Sequence, residues 1–154
     1  VRLVGSEMCI RDRSNNNYIT ICNRKKMRGF TEESALKLLN KIKEKKYKLE
    51  VFDKVLYFED INLQKTLDIM NKTKIFITPH GANISNILWM NKNSIVIEIF
   101  PREDKRTIYY NSIADVLKIK YIKIIDNQLN KCDIIWDVSL KACEILDSLF
   151  KNLL

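Results

Sequence analysis

The chain reads as an α/β protein built on a parallel, Rossmann-like sheet with helices on both faces. Three observations predict this class. Short apolar runs alternate with amphipathic stretches of helical period, an alternation that demands crossover connections and hence parallel strands. The run Ser94-Ile-Val-Ile-Glu-Ile-Phe100 is almost continuous in β-branched residues, as an inner strand covered on both faces requires. Glycine (3) and proline (2) are scarce, which argues against a turn-rich all-β fold, a collagenous segment or a disordered linker. At 154 residues the chain has room for one domain with a real core and too little for two.

The elements follow in order. Residues 1–13, VRLVGSEMCIRDR, have no clear period and none of the Lys/Ile/Asn bias of the remainder. They resemble a translated sequencing-adapter artefact and are set aside as a non-native or disordered leader. The lobe proper is then 14–154, and the chain is expected to be a fragment whose upstream part is missing. Residues 18–22 (YITIC) predict a first strand, ending in the basic loop Asn23-Arg24-Lys25-Lys26-Met27-Arg28. Thr31 offers an N-cap, Glu32 and Glu33 suit the positive helix end, and Ala35, Leu38, Leu39 and Ile42 keep helical spacing up to a lysine-rich C-terminus. A strand over 49–52 and a short helix marked by Leu63, Leu67 and Met70, capped by Asp60 or Asn62, come next. The strand over 74–78 runs into the turn Pro79-His80-Gly81 and a helix over 83–90. After the 94–100 strand come a charged loop over 101–106, a helix over 109–117 and a strand over 121–125. Ala142, Ile145, Leu146, Leu149 and Leu153 give a final helix its apolar stripe.

Composition bounds the function only loosely. The formal charge of +8 fits a nucleic-acid surface, an anionic small ligand, or a solvated lysine-rich exterior, and the dispersal of lysine along the chain puts the last reading first. Cys9, Cys22, Cys132 and Cys143 contain no C-x-x-C pair and no companion histidine spacing, so a zinc site is not expected and reduced thiols are the default. No apolar run approaches the roughly 20 residues that span a bilayer.

Chemistry is expected beyond the carboxyl ends of the strands, where open parallel sheets bind ligands. The loop after the first strand carries Arg24, Lys25, Lys26 and Arg28; the turn after the third carries His80, the chain's only histidine, and Gly81; the loop after the fourth carries Arg102, Lys105 and Arg106. Together they predict a cationic crevice around a helix N-terminus, suited to a phosphate-bearing ligand. Blander readings stand beside this one: basic loops are general in this chain, Gly81 eases a tight bend, and a single histidine often serves structure. Glu98 is costly to bury in so apolar a strand. It either accepts hydrogen bonds from sugar hydroxyls or pairs with a neighbouring lysine or arginine. Trp89 and Trp136 read as core, and Asp53, Asp60, Asp126 and Asp133 as caps and turns. The G-x-S-x-G, Walker A and G-x-G-x-x-G patterns are all absent.

His80-Gly-Ala-Asn-Ile-Ser-Asn86, followed by Ile95-Val-Ile-Glu-Ile-Phe-Pro101, resembles glycosyltransferase family 61, whose pattern is His-Gly-Ala-Gly-Leu-Thr-Asn and then Val-Glu-Ile/Leu-Phe-Pro. Ile21-Cys-Asn-Arg24, Arg28 and the acidic helix start resemble the family's upstream block, so the likeness runs from residue 18 to 125. The resemblance implies one Rossmann-like lobe of a GT-B-type enzyme. Such an enzyme moves a sugar with inversion from a nucleotide donor, typically a UDP-sugar, to a glycan or glycoprotein hydroxyl. It implies that Arg24 contacts the donor phosphates, with Arg28 beside it; that His80, Gly81 and Ala82 line the pyrophosphate turn; that Asn86 supports the turn; and that Glu98 lies near the nucleoside. Arg24 and His80 are thus the catalytic candidates. Departures are Asn83 for glycine, Ile84 for leucine and Ser85 for threonine; asparagine tolerates the positive φ that glycine would supply. Because arginine and helix-terminal N–H groups stabilise a departing diphosphate unaided, neither a metal nor a cofactor besides the nucleotide-sugar is expected. No residue here is assigned as the general base, the missing N-terminal lobe being one place for it. A non-enzymatic basic module that binds nucleic acid or a protein partner is the rival reading.

Overall fold

Parallel strands need crossovers, and the apolar runs and helical stretches of this chain assemble accordingly. The computed structural model describes residues 17–45, 47–102, 108–126 and 135–153. Strand β1 is Tyr18–Ile21, helix α1 Glu32–Glu44, β2 Glu50–Val51, α2 Leu63–Lys72, β3 Thr73–Pro79, β4 Ile95–Phe100, α3 Ile108–Val116, β5 Lys120–Ile125 and α4 Leu140–Leu153. Two 3₁₀ segments, Phe58–Asp60 and Ala82–Trp89, complete the set. The sheet has the order β2-β1-β3-β4-β5 with every pairing parallel. Strand order therefore reverses between β1 and β3, the switch point at which doubly wound sheets open a crevice.

Helices cover both faces. On one, α1 (Ala35, Leu38, Leu39, Ile42) and α4 (Ala142, Leu146, Phe150) pack on Ile19, Ile21, Ile75, Ile77, Ile97 and Ile99. On the other, Met70, Ile84, Ile87 and Ala114 pack on Phe76 and Val96. All six residues of β4 are buried, which is why its sequence shows almost no alternation. Caps form as the side chains allow: Thr31 accepts from the Ser34 N–H for α1, and Asn62, not Asp60, accepts from Lys65 N–H for α2. Asp126 accepts from the Ser139 N–H at 3.0 Å and from its hydroxyl, and the Ser139 hydroxyl oxygen accepts from Ala142 N–H at the start of α4.

Four expectations need correction. The 83–90 segment is a 3₁₀ helix, Ala82–Trp89, rather than an α-helix. With three residues per turn its side chains eclipse, so Ile84 and Ile87 share the buried side while Trp89, expected in the core, is 42% exposed. In α2 the buried set is Thr66, Ile69 and Met70, and Leu63 faces solvent. Strand β2 is only two residues long, as an edge strand with one neighbour can be. Trp136 is buried as expected, edge-on to Phe30 at 5.3 Å. Cys22 is buried and Cys143 half-buried, both as free thiols. Cys9, Cys132, Asp133, Lys105, Arg106 and the 1–13 leader lie outside the described residues. Among the described residues no helix is long and apolar enough to cross a membrane.

Helices α1 and α4 are also joined across their exposed flank, where Asp147 receives Lys45 at 2.7 Å and Lys41 at 3.2 Å. Partial burial raises the Asp147 carboxyl, but hydrogen bonds from Lys45 and Lys41 outweigh it, and the net shift is downward. A carboxyl held lower in the folded state stabilises above its unfolded range and loses that contribution as pH falls through the folded value. Urea denaturation of Asp147→Asn should therefore show a small loss of stability at neutral pH that shrinks toward zero on acidification. A deficit that stays constant to acid pH would contradict this.

Candidate functional site

The site begins with the loop after β1, which the side chain of Asn23 holds in shape. Its Oδ1 accepts from Phe30 N–H at 2.8 Å and its Nδ2 donates to Phe30 O at 2.9 Å, so one buried amide clamps both ends of the 23–30 loop. The loop is further pinned where Trp136 N–H donates to Gly29 O and Thr31 N–H to Trp136 O. Arg28 sits at φ 55°, in the left-handed region that non-glycine residues seldom occupy. A Cβ at Gly29 would come within 2.5 Å of the Arg24 carbonyl oxygen.

The turn after β3 meets this loop. Gly81 has φ 147° and ψ −170°, a conformation essentially reserved for glycine. A Cβ built there would lie 2.4 Å from Arg24 Nη1, so the guanidinium occupies the volume that any side chain would claim. Asn83 ties the same two loops together, its Nδ2 donating to Asn23 O at 3.2 Å and lying 3.2 Å from Cys22 Sγ. Burial pushes the Cys22 thiol far up, so it is a neutral neighbour there. Asn83 does not take the positive φ that asparagine tolerates: among described non-glycine residues only Arg28, Asn93 and Lys118 do. Its amide, bridging β1 to β3, is the reason that asparagine serves at this position. Asn86 Nδ2 donates to Asn83 O at 2.9 Å, and Ser85 Oγ to Ala82 O at 2.7 Å. No side chain caps the 3₁₀ helix that starts at Ala82.

His80 stands behind the turn. Its Nδ1 lies 2.6 Å from Glu98 Oε1, and its ring stacks on Phe100 with centroids 4.4 Å apart. Glu98 is wholly buried, and its second oxygen accepts from the Tyr121 hydroxyl at 2.5 Å. The hydrogen-bond partners of this carboxylate among the described residues are thus an imidazole and a phenol, rather than the lysine or arginine weighed from the sequence. Burial first, then the hydrogen bond to and charge of Glu98, drive the Tyr121 phenol far up, which keeps it a donor. Burial and then the charge of Glu98 raise the Tyr110 phenol on α3, against smaller downward pulls from Arg24 and Arg28.

Other predicted members separate from this cluster. Lys25 turns away to Asp60, at 2.6 Å, beside the Tyr57 ring. Arg102 follows β4 at the same sheet edge. On the far side of Arg24 a cleft of about 390 Å³ opens between Tyr57, Phe30 and Ile135, with Glu32 at the start of α1. Among the described residues no three His, Cys, Asp or Glu side chains gather as a metal site would need. Asn23, Phe100, Tyr110 and Tyr121 escaped the sequence reading. Asn23 alone carried a local signal, a turn-forming residue directly before the arginine.

Strand order and switch-point crevice put the chain among doubly wound α/β proteins that receive ligands at the carboxyl edge of the sheet. The glycosyltransferase 61 family model matches residues 6–97, and the chain belongs to that family. The matched span contains Arg24, Arg28 and the 80–86 turn; it stops one residue before Glu98 and does not reach Tyr121. None of the curated proteins compared with the chain matches it.

The close fit at Gly81 carries a direct expectation. Gly81→Ala should destabilise the chain by about 1–3 kcal/mol, the usual cost of forcing a side chain into such backbone, while displacing Arg24. Urea titration measures it, and a loss under about 0.5 kcal/mol would mean that the turn has slack.

Proposed function

We propose that this glycosyltransferase lobe binds a nucleotide-sugar, a UDP-sugar, at the β1/β3 switch point and transfers the sugar with inversion to a glycan or glycoprotein hydroxyl. The observation that carries the reading is the seating of the Arg24 guanidinium on Gly81, beside His80 and the start of the 3₁₀ helix. Membership of the family makes glycosyl transfer the general activity; donor and stereochemistry are the finer proposal.

The chemistry asks for little else here. Sugar transfer releases a nucleoside diphosphate, and negative charge accumulates on the departing phosphate oxygen. Arg24 offers a planar, permanently charged donor set that the two loops hold before substrate arrives, so no reorganisation is needed as that charge develops. The N–H groups at the uncapped 3₁₀ terminus add aligned dipoles. His80 supplies a further nitrogen at the same turn. With these donors the leaving group is stabilised without a metal, and we propose a metal-independent reaction. Inversion requires a base that deprotonates the acceptor hydroxyl on the opposite face of the sugar. We assign that base to a companion N-terminal lobe, with this chain as the donor-binding half.

A basic module for nucleic acid would need unpaired, clustered lysines. Instead Lys25, Lys37, Lys41 and Lys45 are held by Asp60, Glu33 and Asp147, so these four are engaged within the chain.

Isothermal calorimetry with UDP tests the reading. Arg24→Ala should weaken binding about 10- to 100-fold, the usual worth of charge-assisted hydrogen bonds, and His80→Ala should weaken it as well. Wild-type chain that fails to bind UDP, or variants that bind it equally well, would count against the proposal.

A further inference from the structure

Glu98 occupies a place where an apolar strand gains nothing from a carboxylate. It is 0% exposed in β4, and replacing buried charges with apolar residues of similar volume is often neutral or stabilising. What it holds explains its presence. The Tyr121 hydroxyl, kept protonated by burial and by Glu98 itself, donates to Oε2. Oε1 lies 2.6 Å from His80 Nδ1, and two bare acceptors would repel at that distance, so a proton lies between them. A second constraint acts on the ring plane: the imidazole stacks on Phe100 at 21°. Position and plane are both set, and Nε2 is left as the ring nitrogen for which no hydrogen bond is formed among the described residues, on a side chain 15% exposed.

We infer that Tyr121, Glu98 and His80 form a relay that locks the imidazole with its proton on Nδ1 and commits Nε2 to the diphosphate of the ligand, taking up a proton as that ligand binds. The inference rests on the donor-site reading above. The proton comes from solvent onto Nε2 and no other bond changes. The resulting imidazolium is met by Glu98 on one side and by a phosphate oxygen on the other. A bare Nε2 only accepts, and so does a phosphate oxygen, so their contact requires a proton on Nε2. Arg24 over Gly81 faces the same turn. Glu98 and Tyr121 touch no substrate; they are positioning residues that act through His80, as a carboxylate orients the histidine of a hydrolytic triad. Neither falls within the residues that the family model matches.

His80 is the chain's only histidine, so ¹⁵N-histidine labelling of the full chain, carried without a histidine tag, isolates its two ring nitrogens. Long-range ¹H–¹⁵N correlation at mildly alkaline pH should show Nδ1 protonated and Nε2 bare, and saturation with UDP should move Nε2 to the protonated position. Glu98→Gln keeps the volume and removes the charge; it should abolish the UDP-linked shift and lower UDP affinity about tenfold, the scale of one charge-assisted hydrogen bond. If that variant does not fold, Tyr121→Phe serves instead: Nδ1 stays protonated and its proton moves downfield as Glu98 loses a competing donor. A wild-type ring protonated on Nε2 alone, UDP binding with Nε2 unchanged, or a Tyr121→Phe spectrum identical to wild type would each overturn the relay. Absence of UDP binding with Nδ1 still protonated would instead sink the donor-site reading and leave the lock standing.

Discussion

The carboxyl edge of the sheet is organised by one close approach, in which the guanidinium of Arg24 lies where Gly81 would carry a side chain. That approach joins the carboxyl ends of β1 and β3, two strands adjacent in the sheet and more than fifty residues apart in the chain. Everything around it serves to make it repeatable. Asn23 clamps the loop that bears Arg24, Asn83 ties that loop to the 3₁₀ turn, and Gly29 and Gly81 leave the space that the arginine needs. A charged group held this firmly before its ligand arrives loses little entropy on binding, and preorganisation of that kind is the main electrostatic lever of a transferase.

Behind this front stands a second layer with different physics. The front is cationic and borders the cleft; the back is a buried carboxylate between an imidazole and a phenol. β4 supplies Glu98 and Phe100 from the same side, two residues apart, and β5 supplies Tyr121 and Lys123 in the same way. The period of a strand therefore places the histidine's charge partner and its stacking partner side by side. Both Glu98 oxygens and the Tyr121 hydroxyl have partners, so the carboxylate sits in a largely apolar core without an orphaned polar atom of its own.

Much of the architecture was legible from residues alone because its signals are local. The β-branched run of β4, the Thr31 cap with its acidic first turn, and the alternation of strand and helix each depend on a few neighbouring positions. So does the His80-Gly81 turn. Long-range partners left no such trace. That Glu98 would meet Tyr121 depends on which strand lies beside β4, and that Asn83 would bridge to Asn23 depends on the β1/β3 pairing. Trp89 misled for a related reason: Ile84 and Ile87 set which side of its stretch meets the sheet, and Trp89 falls on the other side.

The Arg24–Gly81 contact is proposed as the phosphate seat of a nucleotide-sugar site. Chemical-shift mapping with UDP tests this, following the Arg24 side-chain N–H together with the backbone amides of Gly81 and Ala82. These resonances should move together and saturate on one binding curve, whereas α1 and α4 stay still. Perturbations confined to the lysine-bearing flank of α1 and α4, with Arg24 and Gly81 unmoved, would contradict it.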